Sequence, residues 1–326
     1  MGGNCYTENI EGINVHKYGP HIFHTSNKVV WDFVNRFAQF NNYIHSPKAY
    51  SKGKLYSLPF NMNTFYEMWG TIEPKKAKEI IEQQKFQGTP TNLEEQALSL
   101  VGQDIYKTLI KGYTEKQWGK SATELPSFII KRLPLRFTFN NNYFNDTYQG
   151  IPIGGYTSMI QKMLDGIEVK LNTDYLSNRD YFNSIANQVV YTGCIDEFFD
   201  YEFGRLEYRS LRFEHQVQDT DNFQGVTQLN YCDNEVSYTR IIEHKHFEKS
   251  QSSKTVITYE YPQEYQKGMT PYYPINDKRN QMIHENYKNK LPFLTNFIFG
   301  GRLAEYKYMD MDTVIKSAMN KFGDCK

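Results

Sequence analysis

Between residues 203 and 260 apolar and polar side chains alternate with a period of two. Leu206-Glu207-Tyr208-Arg209-Ser210-Leu211-Arg212-Phe213 is one such run, Gly225 to Tyr231 a second and Thr255 to Tyr261 a third. That period sends successive side chains to opposite faces of a pleated strand. Strands with one polar face build antiparallel sheets, and the apolar face must be covered by another layer.

The rest of the chain supplies that cover in two kinds. From Thr64 to about Lys116 the spacing is helical: Pro74 opens a turn followed by Ala77, Ile80 and Ile81, Asn92 caps Leu93, Ala97, Leu98 and Leu100, and Tyr106, Leu109, Ile110 and Tyr113 continue at three and four. This predicts an all-helical insert of about four short helices. Residues 114–128 lose the period and are expected to form a loop, of the kind that closes over sites. Elsewhere α/β character is expected. It includes a helix over about 27–39 capped by Ser26, a hairpin over 48–58 turning at Lys52-Gly53-Lys54 and a helix from Tyr156 to Leu164. It also includes strands at 168–171, 188–193 and 296–301, a helix over 278–290 and a final helix from about Asp312. The fold class is therefore α/β: a dinucleotide-binding domain interrupted by a helical insert and an antiparallel-sheet insert.

Charge and cysteines narrow the function. Lys plus Arg and Asp plus Glu both total 37, so no global field is present to hold a polyanion, and nucleic acid is not an expected partner. Cys5, Cys194, Cys232 and Cys325 are scattered, which suits a reducing compartment rather than a disulfide framework. No apolar run approaches the ~18 residues of a membrane span and the N-terminal residues carry no basic segment followed by an apolar core, so a cytoplasmic location is expected. His21 with His24, and His244 with His246, lack the companions of a metal site, so no metal is expected.

Several segments suggest binding. Phe299-Gly300-Gly301-Arg302 reads as a strand entering a glycine turn, with a helix beginning at Asp310-Met311-Asp312. A helix start offers free amides and partial positive charge to a phosphate or an electron-rich ring. Alone, this is also an ordinary strand–turn–helix. Arg132, Arg136, Arg209, Arg240 and Arg302 occupy loops or strand ends, near Tyr113, Tyr143, Tyr208, Tyr273 and Tyr308. Each arginine singly is also an ordinary surface charge. Together, guanidinium forks and phenols suggest a diphosphate clamp rather than a glycosidase carboxylate pair.

Longer runs are more specific. Gly-Gly-Asn at 2–4, Lys-Tyr-Gly-Pro-His-Ile-Phe-His-Thr at 17–25, Leu-Pro-Phe-Asn-Met-Asn-Thr-Phe at 58–65 and Lys-Gly-Tyr-Thr-Glu-Lys-Gln-Trp-Gly at 111–119 resemble UDP-galactopyranose mutases. So do Ile-Lys-Arg-Leu-Pro-Leu-Arg-Phe at 130–137, Asn-Asn-Tyr-Phe at 141–144, Tyr-Thr-Arg-Ile-Ile-Glu-His-Lys at 238–245, Pro-Tyr-Tyr-Pro at 271–274 and Gly-Arg-Leu-Ala-Glu-Tyr-Lys-Tyr-Met-Asp-Met-Asp at 301–312. The resemblance implies an isomerase that interconverts UDP-galactopyranose and UDP-galactofuranose for cell-envelope polysaccharide. It implies reduced FAD as cofactor, with flavin N5 attacking sugar C1 and no net redox change. A homodimer is one expected assembly.

By position, the resemblance makes Arg132, Arg209, Tyr308 and His24 catalytic. It gives Tyr113, Gln117, Trp118, Tyr143, Asn230, Arg240, Tyr273 and Asn61 to the substrate, and Gly2, Gly3, Asn4, His21, His24, Arg302, Asp310 and Met311 to the cofactor. The implied division is a partial FAD-binding domain over 1–44, 151–202 and 291–326, a helical domain over 63–135 with a mobile tryptophan loop at 114–128, and a sheet domain over 45–62, 136–150 and 203–290. The family opens with a strand, a Gly-x-Gly-x-x-Gly turn and a helix, which these residues do not contain. The expectation is thus an incomplete Rossmann-like domain, an N-terminally truncated sequence that binds FAD poorly and is inactive by itself. The alternatives are a non-catalytic UDP-sugar-binding fragment and a generic flavin oxidoreductase.

Overall fold

The alternating segments assemble into one seven-stranded sheet in a computed structural model that describes residues 1–130 and 135–323. The strand order is Tyr273–Pro274, Tyr208–Gln218, Thr255–Glu264, Arg240–Glu243, Gln228–Tyr231, Lys48–Ser51 and Lys54–Ser57. Every pairing is antiparallel except that of Lys48–Ser51 with Gln228–Tyr231. The expected hairpin turning at Lys52-Gly53 thus extends this sheet. Tyr208, Arg209, Ser210 and Leu211 are all buried, so at this end the strand is covered on both faces and the period of two no longer marks one solvent side.

The helical insert packs on one edge of the sheet. Met62–Trp69, Pro74–Gln84 and Leu93–Val101 are helices, and a further helical run from Gln103 to Trp118 contains a wider π turn at Tyr106–Ile110. Pro74 stands at the first helical position and Asn92 accepts from the Glu95 amide, as their sequence positions predict. Phe65, Ala77, Ile81, Leu93, Ala97, Val101 and Ile105 are each at most 1% exposed and form the core between these helices. The segment expected as an aperiodic loop over 114–128 remains helical through Trp118. Glycine at 119, with φ +68°, ends it in the left-handed conformation that glycine adopts without strain.

The α/β part is smaller. Val189–Tyr191 and Phe297–Phe299 form a parallel pair, packed through Tyr191, Ile195, Phe198, Tyr287 and Phe299. The hairpin Thr7–Ile10 and Ile13–His16 carries the helix Gly155–Met163, and Thr7 and Thr157 exchange hydrogen bonds across that contact. Two expectations are corrected here. Asn27, not Ser26, caps the helix Lys28–Asn35, because its side chain reaches the Val29 and Val30 amides. Residues 168–171 are exposed and make no strand, having no neighbouring strand to take their hydrogen bonds. Tyr148–Gly150 does not join the large sheet but pairs with Phe23–Thr25.

Candidate active site

A cavity of about 830 Å³ opens where the sheet, the helical insert and the α/β part meet. The sheet supplies its floor through Leu211, Gln228, Asn230 and Arg240. Arg240 is set by an ion pair with Glu260 on the neighbouring strand (2.8 Å), the carboxylate being 2% exposed. Burial works against the Arg240 charge, but its surroundings, Glu260 foremost, together outweigh that and hold the guanidinium protonated. That charge bears on four phenols, Tyr113, Tyr143, Tyr273 and Tyr308. Desolvation pushes the Tyr113 and Tyr273 hydroxyls far up the pH scale, so both are protonated donors. Tyr143 and Tyr308 are partly open to solvent, at 41% and 49% exposure. One half-buried cation sharing its cavity with four phenols is an anion-binding arrangement.

One wall is the helix Lys111–Trp118, termed the lid helix after the expected closing segment that begins on it. Tyr113 and Gln117, four residues apart, lie on one helix face, and with Thr114 and Trp118 they line the cavity. Leu58, Pro59, Phe60, Leu109 and Ile110 make this end apolar. Lys120, Glu124 and Phe128 approach from the chain that follows.

The opposite wall comes from the α/β part: Asn4, His21, His24, Arg302, Asp310 and Met311. His24 Nδ1 is 2.7 Å from the Asp146 carboxylate and its ring stacks on Phe144 at 3.7 Å. His21 gives its Nδ1 hydrogen to the Gly19 carbonyl, and burial lowers its pKa to about 4, so it is neutral. Arg302 lies 4.4 Å over the Tyr308 ring while its Nε donates to the Met309 carbonyl. Beside it starts the twelve-residue helix Met311–Phe322, whose cap residue Asp310 makes no side-chain cap hydrogen bond. Thr25 fixes this helix start by donating to Asp312 (2.9 Å).

Five expected site residues fall elsewhere. Arg132 lies outside the described residues. Arg209 does not line the cavity. It is 7% exposed, and its Nε donates to the Gln117 carbonyl (3.0 Å), behind the lid helix. Asn61 is fully buried and committed on both ends of its amide. Its oxygen accepts from Asn63 and Thr64 to cap the helix Met62–Trp69, and its nitrogen donates to Asn140 and Asn141. Gly2 and Gly3 stand behind the wall, where φ values of +116° and +52° shape the turn that presents Asn4. Arg136, a further loop arginine, donates to the Asn142 and Tyr143 carbonyls and so shapes the loop carrying Tyr143. His45 and Gln228 line the cavity and were not foreseen. Burial takes the His45 pKa down to about 3. His45 lies outside any periodic segment, and Gln228 looks like any polar residue of an alternating strand. Among the described residues no group of three His, Cys, Asp or Glu is placed to hold a metal ion.

This geometry has counterparts. The family described as UDP-galactopyranose mutase matches residues 108–308, and the NAD(P)-binding Rossmann-like domain family matches residues 1–37. The chain is 42% identical to a dTDP-fucopyranose mutase of Escherichia coli, covering 98% of this chain and 88% of that protein. It is 34% identical to a UDP-galactopyranose mutase of Mycoplasma pneumoniae, covering 98% and 86%. A crystal structure of reduced UDP-galactopyranose mutase superposes with a TM-score of 0.72 at 11% identity, over 99% of this chain and 86% of that one.

Proposed function

Because the chain belongs to the UDP-galactopyranose mutase family, we propose that it interconverts UDP-galactopyranose and UDP-galactofuranose, with its cavity divided into three zones. The observation that carries this reading is the ring of Tyr113, Tyr143, Tyr273 and Tyr308 around Arg240, set between an apolar lid wall and an uncapped helix start. The ring takes the diphosphate: Arg240 supplies the fork and the phenols supply neutral donors. These groups balance the negative charge that grows on the leaving diphosphate, and their geometry is fixed before the reaction begins. The apolar wall with Tyr113, Gln117 and Trp118 takes the nucleoside and excludes water.

The third zone fits a flavin ring. Arg302 and the free amides at the start of Met311–Phe322 would suit its electron-rich pyrimidine edge, and His21, His24 and Asn4 would help to hold it. Gly2 and Gly3 act from behind this zone, shaping the turn that presents Asn4. Reduced FAD, when bound there, supplies the nucleophile for sugar C1, which accounts for an isomerisation with no net redox change. The fixed His24–Asp146 pair holds that wall in place. Arg209 acts behind Gln117, as a positioning residue.

A second reading, dTDP-6-deoxy sugars as substrates, is favoured by the 42% identity to the dTDP-fucopyranose mutase. The test incubates the dithionite-reduced, FAD-loaded chain with UDP-galactofuranose and, separately, with dTDP-fucopyranose, and separates the products by ion-exchange chromatography. Conversion of the UDP sugar is expected once FAD is supplied in excess, which offsets the weak cofactor binding expected from the sequence. Conversion of the dTDP sugar alone would replace the first reading by the second, and conversion of neither would remove both. Free Cys5, Cys194 and Cys232 support a cytoplasmic location, and among the described residues no helix is long and apolar enough to cross a membrane. A homodimer is the assembly proposed, which light scattering checks.

A further inference from the structure

Lys116 makes the most unusual polar contact of the lid helix. Its ammonium donates to four main-chain carbonyls: Asp233 (2.7 Å), Tyr231 (2.8 Å), Tyr238 (3.0 Å) and Val236 (3.3 Å). All four belong to the connection between the strands Gln228–Tyr231 and Arg240–Glu243, or flank it. Three ammonium hydrogens thus serve four oxygens. The nearest acid in the connection, Asp233, is engaged elsewhere, accepting from Ser51 Oγ and the Lys52 amide. Among the described residues no carboxylate lies within ion-pair distance of Lys116. Carbonyl dipoles alone meet the charge, as they do around a desolvated monovalent cation.

Gly112, one turn earlier on the same face, brings the helix down onto this connection: a Cβ there would fall 2.1 Å from the Cys232 carbonyl oxygen. The Gly112–Lys116 face is thereby locked to the sheet, while Tyr113 and Gln117, each one residue on, face the cavity. The strands that flank the carbonyl ring carry Asn230 and Arg240. One ammonium therefore ties the nucleoside wall to the diphosphate floor. Arg209 holds the same helix end from behind through the Gln117 carbonyl.

We propose that Lys116 is a positioning residue that acts as a tethered monovalent cation, filling a carbonyl ring on the sheet and thereby setting the lid helix for nucleotide binding. The proposal rests on the nucleotide reading of the cavity. In a Lys116→Ala chain the ring is left empty, and free ammonium or potassium, close in size to a lysine head group, fills it.

The test measures UDP binding by calorimetry to the full chain, wild type and Lys116→Ala, in lithium or tetramethylammonium salt. UDP affinity of the variant is expected to fall about tenfold, the low end for a group one layer behind a binding site. Exchange into about 0.1 M ammonium or potassium at constant ionic strength is expected to restore it. Unchanged affinity in lithium, or equal recovery with tetramethylammonium, overturns the proposal. If Lys116→Ala does not fold, Lys116→Arg carries the test. It keeps the charge on a fork too broad for the ring, so wild-type affinity in that chain also overturns the proposal. A wild-type chain that binds neither UDP nor dTDP defeats the nucleotide reading instead. The ring is then judged by the melting temperature of Lys116→Ala, which must rise in ammonium over tetramethylammonium, and an equal value in both overturns the proposal.

Discussion

Gly112→Ala sets two physical effects against each other, and the structure decides the sign. In a helix interior alanine is favoured over glycine by about 1 kcal/mol. Gly112 lies inside Lys111–Trp118, so propensity alone predicts a more stable protein. Against this, the new Cβ would fall 2.1 Å from the Cys232 carbonyl oxygen and 3.1 Å from Asn234 Oδ1. Carbon–oxygen contacts settle near 3.3 Å, so the helix must retreat by about 1.2 Å. The obstacle is main chain, tied down by the Cys232 amide donating to the Tyr50 carbonyl, and cannot swing aside as a side chain would. Overpacking of this kind costs about 1–3 kcal/mol. The retreat also carries Lys116 away from oxygens now at 2.7–3.0 Å, and a lost hydrogen bond to a charged group costs about 1.5–3 kcal/mol more. The net is a destabilisation of about 3 kcal/mol. With about 2.1 cal/mol/K of unfolding entropy per residue over 326 residues, that lowers the melting temperature by roughly 4 °C. Scanning calorimetry at fixed pH gives the number, and UDP titration of the same sample is expected to show about a tenfold loss. A melting temperature equal to or above wild type would falsify the close backbone contact and with it the account of how the lid is held.

Four other outcomes are expected. Arg240→Lys keeps the charge beside Glu260 but loses the planar fork, so UDP affinity measured by calorimetry should fall about tenfold or more. Arg240→Ala strands a carboxylate that is 2% exposed and should cost about 3 kcal/mol in urea unfolding, and a stability equal to wild type would refute the ion pair. Asn61→Ala removes a helix cap and should cost about 1–2 kcal/mol while leaving UDP affinity unchanged, whereas a weakened UDP titration in a stable variant would return Asn61 to the site. Burial depresses the pKa of His21 to about 4 and of His45 and His244 to about 3, below an unfolded value near 6.5. The unfolded chain therefore binds more protons below pH 6.5. Stability is full above that pH and declines as pH falls toward 4, by about 1.4 kcal/mol per pH unit for each fully buried histidine. Denaturant midpoints that stay level from pH 7 to 4.5 would contradict the burial of these rings.

Most of the fold was legible where one physical pattern dominates. Period-two runs gave the large sheet, and Pro74 and Asn92 marked helix starts because their local chemistry admits few other roles. Legibility failed where a neighbour decides. Glu168-Val169-Lys170-Leu171 has strand character but no adjacent strand to bond with. Thr114–Trp118 has no clean apolar stripe, because the helix buries a glycine–lysine face against main chain and turns a tyrosine–glutamine face to a cavity. Asn61 and Arg209 show the converse: residue type and motif placed them at the site, while their partners engage them as a helix cap and as a strut behind Gln117.

The same distinction separates what can vary in this site from what cannot. Arg240 needs Glu260 and the four phenols, all side chains, so its contacts can be tuned by substitution. The lid is held by main-chain atoms at Cys232, Tyr231, Asp233, Val236 and Tyr238, whose carbonyls are present whatever the side chain. Only the length and path of that connection can change them. A shift of specificity between related sugar nucleotides therefore has room in the cavity-lining side chains. The contact between Gly112, Lys116 and the 232–239 connection has none, because a Cβ in one place or a missing ammonium in the other moves the whole wall.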